Sequence, residues 1–542
     1  VEHECKDTTR IVASYDPNSI EVQPIVPYTN TNTTLTFTIH FENLPQANFP
    51  AEDVMIKLPL DENLDIDSVT FTGSSHPDVL TTVIDKSNRT IIWRFTGIQL
   101  PPNQNPPEGE GWAQFTVMPK ENIPSGTEIT AKAEIRFDEN PPIMTNEVKV
   151  TVDSKPPTTQ MTALPEVQSR GVFEVQWEAQ DDLSGVETTL LWVNEERSDG
   201  QQRNHPNPNK TRVIEIDGKT YYTFYSLPKE KGNKTSIRGK FGYTYRFIAT
   251  SIDKARNSEV PQQPQAVTTV GRFPQIPQGI RLVAVPVQSE DADPKGIFNF
   301  PENKWATWNP TANNGQGGYV LYPSDEVKFS EPEKVPGRAY WVRLNEPTTL
   351  KIYGPLPDDT QPFVIQLKRG WNLVGNPWLV DLVWNLDAFQ VQVNGQTKSL
   401  KDARGIVEPY AWRWDGNQYQ LVFDSKILPS IDDKIPAWEG AWIYAWQDCQ
   451  LIVPPPQVAR ARKGRLAKER FEGWFARLSA QIGDEKGSGF FGVMPESRLS
   501  IGQPPSPPEI QETAQIHVLF LDKEGNTSVA DFRSGVQRQH EW

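Results

Sequence analysis

The stretch that decides the fold is Ala133–Gln160, AEIRFDENPPIMTNEVKVTVDSKPPTTQ. Apolar and polar residues alternate in its segments EIRF and VKVTV, and a period of two is typical of a strand with one buried face. Pro141 and Pro142 predict a turn between these strands. Pro156 and Pro157 predict a stiff joint, because a central strand cannot continue through residues that lack an N–H donor. The stretch therefore predicts an all-β chain of successive units connected by proline joints.

Length and charge limit the classes of protein that this chain can belong to. A chain of 542 residues is too long for one core and predicts about three to five domains. The formal net charge of −15 argues against nucleic acid as a partner, since phosphate contacts need clustered Lys and Arg. No apolar run approaches the length of about 18 residues that a membrane-spanning helix needs. We therefore expect neither a nucleic-acid partner nor a membrane span.

Residues 1–14 form an N-terminal extension in this division of the chain. They begin VEHECKD, without a charged or an apolar signal region, so an export signal has been removed or the chain starts inside a longer precursor. The sequence contains two cysteines, Cys5 and Cys449. Cys449 is interpreted either as a small buried apolar residue on a strand or as the disulfide partner of Cys5 in the same or a neighbouring chain.

Residues 15–152, called unit one below, show strand patterns at regular spacing with turn signals between them and no helical period. This pattern favours a Greek-key β-sandwich. The segments SYDPN, FTIHFEN, LDENLDIDSV and FDENPPIMTN resemble a repeat module of large secreted and surface-attached bacterial proteins, the conserved-repeat or adhesion-like β-sandwiches. The resemblance implies a secreted, surface-exposed protein.

Residues 153–271, called unit two, contain VFEVQWEAQDDLSG and GYTYRFIATSIDKARN, which are similar to a fibronectin type III or bacterial immunoglobulin-like domain. Trp177 is the expected core aromatic, and Tyr243–Asp253 is a strand that alternates large apolar residues. Domains of this kind often carry a D-x-x-G-N turn, in which Arg256 replaces the glycine here. The similarity implies a second β-sandwich.

Acidic and amide side chains of unit two are candidates for one cluster at an end of the sandwich. Calcium takes about six to eight oxygen ligands from loops of this type, so one interpretation is a calcium site. The other interpretation is a set of Asx turns and solvated loop charges. The candidate residues are Asp181, Asp182, Asp253, Asn257 and Glu259.

Residues 272–457, called the duplicated module, contain the same series of motifs twice, in the same order. Gly279–Pro286 (GIRLVAVP) matches Gly370–Pro377 (GWNLVGNP), WATWNP matches AWRWDG, and GRAYWVRL matches EGAWIYAW. Such a repeat predicts two copies of one supersecondary unit whose apolar faces cover each other. The segment GWNLVGNPW resembles a module common in secreted bacterial proteins.

The many aromatic residues of the duplicated module allow three interpretations. They form its core, a subunit interface or a flat platform that stacks on glycans. Their matching places in both copies favour the core, and the candidates for a glycan or interface role are Trp308, Trp341, Trp378, Trp414 and Trp446.

The end of the chain comprises a basic linker and a further unit. Residues 458–473 are rich in Arg and Lys and are interpreted as a solvated connector or as a segment that docks on an acidic surface of another copy. Residues 474–542, called the last unit, resemble immunoglobulin-like domains at the ends of secreted proteins. A missing final strand would leave an unpaired edge that another chain can extend.

The sequence contains no motif of a nucleophile elbow, a zinc protease helix or a phosphate-binding loop, and its six histidines have no metal-ligand spacing. It therefore predicts a non-catalytic protein without a cofactor other than calcium. We expect serial immunoglobulin-like or fibronectin-like sandwiches in an extended arrangement. The predicted function is a secreted structural protein of a cell surface or extracellular fibre that assembles with its own copies or mediates adhesion. The alternative is a carbohydrate-binding accessory region of a secreted polysaccharide-active enzyme.

Overall fold

The predicted all-β class is confirmed by a computed structural model of the chain, in which strands dominate and helices are short. No helix in the described part is both long and apolar enough to cross a bilayer. The predicted N-terminal extension (1–14) and basic linker (458–473) lie outside the described residues. The structure describes residues 18–24, 27–200, 212–228, 232–298, 304–428, 431–456, 474–482, 485–494, 507–508, 520–521, 527–528 and 530–534.

Unit one contains twelve described strands in three sheets, with the orders β1-β3-β8-β5, β11-β10-β4-β7-β6 and β2-β12-β9. The turn at Pro141 and Pro142, predicted between EIRF (β10) and VKVTV (β12), instead connects β10 to the two-residue strand β11, and β12 belongs to a different sheet. The core contains Phe37 and Phe115, whose rings stack at 5.3 Å, and Trp93, which is fully buried. The strands are β1 (Ser19–Gln23), β2 (Tyr28–Thr29), β3 (Leu35–Glu42), β4 (Ala51–Pro59), β5 (Thr70–Ser74), β6 (Leu80–Asp85), β7 (Thr90–Leu100), β8 (Glu110–Val117), β9 (Glu128–Ala131), β10 (Glu134–Phe137), β11 (Ile143–Met144) and β12 (Val148–Val152).

Unit two forms a sheet of order β13-β15-β19 and a sheet of order β14-β22-β21-β16-β18-β17. Trp177 is 2% exposed, which confirms it as a core residue, and Tyr243, Tyr245 and Phe247 of β21 are buried in the same cluster. The strands are β13 (Thr158–Met161), β14 (Val167–Gln168), β15 (Val172–Gln180), β16 (Val186–Arg197), β17 (Val213–Ile216), β18 (Lys219–Pro228), β19 (Lys234–Arg238), β20 (Lys240–Phe241), β21 (Tyr243–Asp253) and β22 (Ala266–Val270).

The duplicated module contains two four-stranded antiparallel sheets of equivalent order, β24-β27-β25-β26 and β31-β38-β35-β36. Its other sheets are β30-β39-β33-β34, β23-β28 and β32-β37. Its elements are β23 (Gln275–Ile276), β24 (Gly279–Ala284), α1 (Pro294–Phe298), β25 (Trp305–Asn309), α2 (Ala312–Gly315), β26 (Gly318–Leu321), β27 (Ala339–Leu344), β28 (Thr348–Thr349), β29 (Gly354–Pro355), β30 (Phe363–Leu367), β31 (Gly370–Gly375), β32 (Leu382–Val383), β33 (Gln390–Val393), β34 (Gln396–Ser399), β35 (Ala411–Trp414), β36 (Tyr419–Val422), β37 (Lys434–Ile435), β38 (Gly440–Ala445) and β39 (Cys449–Val453).

The two copies contact each other reciprocally. Val283 bridges to Glu439, and the equivalent Val374 bridges to Arg338. A Cβ atom at Gly375 would collide with the Arg338 carbonyl, so the close approach of the backbones requires glycine there. The apolar faces of the two sheets therefore cover each other in a symmetric manner.

Unit two and the duplicated module share one apolar core. Phe241 of β20 is 1% exposed and packs on Phe273 and on Trp438, with ring centroids 5.7 and 5.1 Å apart. Strand β20 also pairs with β29, so that Lys240 lies opposite Pro355. A continuous core thus crosses position 272, where the sequence predicted a boundary between units.

The last unit contains a sheet of order β40-β41-β44 and a small sheet of β42 and β43. The ring of Phe490 on β41 packs 5.9 Å from the ring of Trp412 in the duplicated module. The residues after 534, where the missing final strand was predicted, lie outside the described part. The strands are β40 (Trp474–Ile482), β41 (Glu485–Met494), β42 (Phe520–Leu521), β43 (Thr527–Ser528) and β44 (Ala530–Ser534).

Candidate functional site at the joint of units one and two

Asp153, the first residue after strand β12, connects the two units through its buried carboxylate. Its Oδ1 accepts a hydrogen bond from the Ser125 hydroxyl of unit one at 3.0 Å. Its Oδ2 accepts one from the Ser184 backbone N–H of unit two at 3.0 Å. The residue is fully buried, and Pro156 and Pro157 follow within four positions. One carboxylate therefore fixes the start of the proline joint to both units.

The loop after β21 binds the same residue and holds the start of unit two in place. Asn257 donates its backbone and side-chain N–H groups to the Asp253 carboxylate, at 2.7 Å each, and its side chain also donates to the Asp153 carbonyl at 2.9 Å. Arg256 has a φ of 70°, the left-handed conformation that glycine adopts most readily. Arg256 thus adopts the conformation of the glycine that it replaces in the D-x-x-G-N pattern, and the turn presents Asn257 to Asp153 at the start of unit two.

Three carboxylates meet at this joint. Asp153, Asp181 and Asp182 each offer one oxygen within 4.8 Å of the others. Asp181 accepts hydrogen bonds at Oδ2 from the backbone amides of the loop, while its Oδ1 is buried and has no hydrogen-bond donor. Asp182 is more exposed, and its Oδ2 lies 2.7 Å from Lys155 Nζ. Such a set of oxygens has the chemistry of a calcium ligand group.

The electrostatics of the joint differ from one carboxylate to the next. Burial opposes ionisation of Asp153, but hydrogen bonds, those from Ser184 foremost, outweigh it and lower its pKa. Burial raises the pKa of Asp253, and the negative charges of Asp153 and Asp181 raise it further, despite the hydrogen bonds from Asn257. The joint therefore concentrates negative charge that a cation would stabilise.

The predicted calcium ligands are only partly brought together. Asp181 and Asp182 converge, and Asp253 is close enough to respond to their charges. Glu259 lies outside this group, because its two oxygens accept the backbone N–H groups of Thr159 and Ser251, at 3.1 Å each. Sequence reasoning missed Asp153, although its position between a strand and a proline pair was a usable signal.

Four of the five aromatic candidates belong to the packed interior of the duplicated module, and the fifth, Trp446, packs its ring against Tyr444. Trp308 donates its indole N–H to the Trp371 carbonyl, and the equivalent Trp414 donates to the Ile280 carbonyl, so each indole is bound to the other copy. These contacts agree with the core interpretation, and a glycan or interface role stays a prediction. The buried candidates are Trp341, Trp378 and Trp414, and the half-buried ones are Trp308 and Trp446.

Cys449 lies on β39 opposite Leu367 and is a free, buried thiol among the described residues. Burial raises its pKa to about 11, so the thiol is protonated at neutral pH. Cys5 lies outside the described residues, and a disulfide between the two stays a prediction.

Comparisons with known proteins add one sequence match. A family model described as "Domain of unknown function (DUF7619)" matches residues 16–151, the extent of unit one. Comparison with curated proteins finds no match. The resemblance of unit one to a conserved-repeat module therefore stays a prediction.

Solved structures of bacterial surface proteins show distant similarity. The C-terminal domain of the antigen I/II-family protein AspA of Streptococcus pyogenes is 11% identical, over 46% of this chain and 98% of that chain, with a TM-score of 0.27. The major pilin subunit BcpA of Bacillus cereus is 13% identical, over 46% and 68%, with a TM-score of 0.20. The Actinomyces fimbrial adhesin FimA is 14% identical, over 46% and 97%, with a TM-score of 0.20. TM-scores this low establish no common fold.

Proposed function

We propose that this chain is a non-catalytic structural protein of a bacterial cell surface or extracellular fibre, secreted and able to assemble or to mediate adhesion. The observation that supports the proposal is the construction of its joints. Hydrogen bonds to the Asp153 carboxylate connect unit one to unit two, and a common apolar core connects unit two to the duplicated module. Connected β units of this kind suit a stiff spacer that transmits force or holds a binding surface at a distance.

The acidic residues of the joint support a structural role over a catalytic one. The carboxylates of Asp153, Asp181 and Asp253 are used as acceptors for loop backbone N–H groups. A general acid or base needs access to a substrate proton, and Asp153 and Asp253 are fully buried.

Assembly is tested on the full-length chain by light scattering over a range of concentrations and by negative-stain electron microscopy. We expect growth of the scattering mass with concentration and linear particles in the images. A chain that stays monomeric at high concentration and forms no polymers would contradict assembly. Of the two proposed roles, only adhesion would then remain.

We further propose that calcium binds at Asp153, Asp181 and Asp182 and stiffens the joint. The buried Asp181 Oδ1, which has no hydrogen-bond donor, favours this site, because such an oxygen is costly without a positive partner. The measurement is calcium binding by isothermal titration calorimetry, together with the melting temperature in calcium and in chelator. We expect calcium to raise the melting temperature.

Asp181→Asn should abolish calcium binding. The control is Asp67→Asn, which makes the same substitution at an exposed carboxylate of unit one that pairs with Lys86, away from the joint. The cluster binds no calcium if calcium does not raise the melting temperature of the wild type. The same conclusion follows if calcium raises the melting temperatures of Asp181→Asn and Asp67→Asn equally.

A further inference from the structure

Two tyrosines at equivalent positions of the duplicated module bind the same backbone oxygen. Tyr319 lies on β26 opposite Trp308, and Tyr419 lies on β36 opposite Trp414. Their hydroxyls donate hydrogen bonds to the carbonyl oxygen of Pro508, at 3.2 and 3.0 Å. Each copy of the module thus contributes half of one site, which exists only because the motif is duplicated.

The tyrosines are held in place by a layer of indoles. The Tyr319 ring lies edge-to-face with Trp308 at 5.0 Å, and the Tyr419 ring with Trp414 at 5.2 Å. The Tyr419 hydroxyl accepts the indole N–H of Trp442 at 3.2 Å, so its own proton is available for an outside acceptor. The site is therefore pre-organised, with rigid rings and oriented donors.

The position bound by this site is occupied by proline. Pro507 is buried and Pro508 is half-buried, and they belong to the segment QPPSPP at 503–508. Proline has a fixed φ and no N–H, so a proline segment presents its flat ring and its carbonyl as recognition groups. Grooves lined by aromatic residues recognise such segments by these groups.

Tyr319 also lines an open cleft. The cleft has a volume of about 480 Å³, and its lining residues include Trp305, Trp308 and Trp341. Its volume is in the range of ligand sites, about 300–1,000 Å³, which leaves room for more residues of an extended segment.

We propose that Tyr319, Tyr419 and the indoles around them form a binding site for a polyproline segment, and that Pro507 and Pro508 of this chain occupy it. The occupied site fastens the last unit to the duplicated module. The packing of Phe490 on Trp412 is a second attachment between the same two bodies. The duplication then supplies one tyrosine from each copy to the same binding site.

The test uses the synthetic peptide GQPPSPPEI (residues 502–510) and the full chain with Pro507→Ala and Pro508→Ala, called the vacated chain. These substitutions keep the carbonyl of residue 508 but remove both rings and the fixed φ, and so they should weaken the occupancy of the site by the chain's own segment. Tryptophan fluorescence should report saturable binding to this variant. Binding to the wild type should be at least about tenfold weaker, because its own segment competes, and a tenfold change corresponds to about 1.4 kcal/mol. The control peptide GQPPSAAEI should bind more weakly than GQPPSPPEI, because it keeps the carbonyl but lacks the rings and the fixed φ.

Tyr319→Phe with Tyr419→Phe, added to the vacated chain, should weaken peptide binding about tenfold, since two hydrogen bonds are lost and the rings remain. Near-ultraviolet circular dichroism checks that the aromatic packing is retained, and Pro508→Ala alone replaces the double proline variant if that variant is misfolded. The proposal is wrong if the vacated chain does not bind GQPPSPPEI, binds both peptides equally, or is unaffected by the loss of both hydroxyls.

Discussion

The two joints of this chain are stabilised by different kinds of interaction. Between unit one and unit two, a buried carboxylate, Asp153, collects hydrogen bonds from both sides. Between unit two and the duplicated module, the rings of Phe241, Phe273 and Trp438 pack in one apolar core. The first joint depends on hydrogen bonds to an ionisable carboxylate, whereas the second depends on the exclusion of water from apolar side chains. We therefore expect the first joint to respond to pH and the second to be insensitive to it.

The difference follows from the strength and direction of the interactions. A net hydrogen bond contributes about 0.5–1.5 kcal/mol and requires a defined geometry. Full burial of a large apolar side chain contributes about 1.5–3 kcal/mol and has no directional requirement. A polar joint is thus specific in angle and sensitive to pH, and an apolar joint is stronger and insensitive to it.

Phe241→Ala should have the largest effect, a loss of about 3–5 kcal/mol, because it leaves a cavity in the core that unit two shares with the duplicated module. Hydrogen–deuterium exchange measured by mass spectrometry should show faster exchange in β21 and in β27 together. Phe37→Ala is the matched control, since Phe37 is equally buried in unit one. Its effect should be confined to β3 and β8. Faster exchange in β21 alone would contradict a shared core.

Arg170→Ala tests the polar rim of the apolar joint and should cost about 1–3 kcal/mol. Arg170 donates to the Asp359 carboxylate at 2.6 Å and to its carbonyl at 3.0 Å, and Asp359 is 6% exposed. The free energy of unfolding in denaturant measures the loss. The matched control is Arg238→Ala, because Arg238 pairs with the neighbouring Asp358 at the surface. Equal losses in both variants would mean that burial of Asp359 does not matter.

Much of the fold was accessible from local sequence patterns. Alternation identified the strands on both sides of Pro141, and Trp177 was recognised as a core residue. The repeated motifs identified two stretches whose sheets have equivalent strand order. Periodicity, turn residues and repeats are properties of neighbouring residues, so a single sequence contains them.

The features that define the joints were not accessible in this way. The partners of Asp153 come from Ser125 and Ser184, and no local pattern connects these positions. The shared core at Phe241 and the contact of Pro508 with two tyrosines likewise join distant parts of the chain. A strand pattern shows which face is buried but not which neighbour covers it.

Asp153→Ala should weaken the polar joint by about 1–3 kcal/mol, because it leaves the buried Ser184 N–H without an acceptor. Hydrogen exchange at the amides of residues 182–185 should accelerate. Asp85→Ala is the control, since Asp85 accepts hydrogen bonds from Ser87 and Asn88 within its own exposed turn. It should leave exchange at the joint unchanged, and equal exchange in the wild type and Asp153→Ala would show that this carboxylate does not connect the units.

The smallest expected effect is the pH dependence of the polar joint, because two carboxylates act in opposite directions. The pKa of Asp153 is lowered from its ordinary 3.8, so its contribution is present above that pH and is lost as the pH falls through the folded-state pKa. The pKa of Asp253 is raised from 3.8, so stability falls as the pH rises through its folded-state value.

Asp253→Asn should therefore remove the fall in melting temperature above pH 3.8, while Asp153→Asn should remove the loss below it. The slope of melting temperature against pH is the measurement, since each variant also changes hydrogen bonds and shifts the absolute value. Calcium should flatten the fall, because a bound cation offsets the charges that raise the pKa of Asp253. The opposite result would be a slope of melting temperature against pH that is the same in calcium, in chelator and in Asp253→Asn. It would show that neither protons nor cations affect the stability of this joint, and that it shares the insensitivity of the apolar joint.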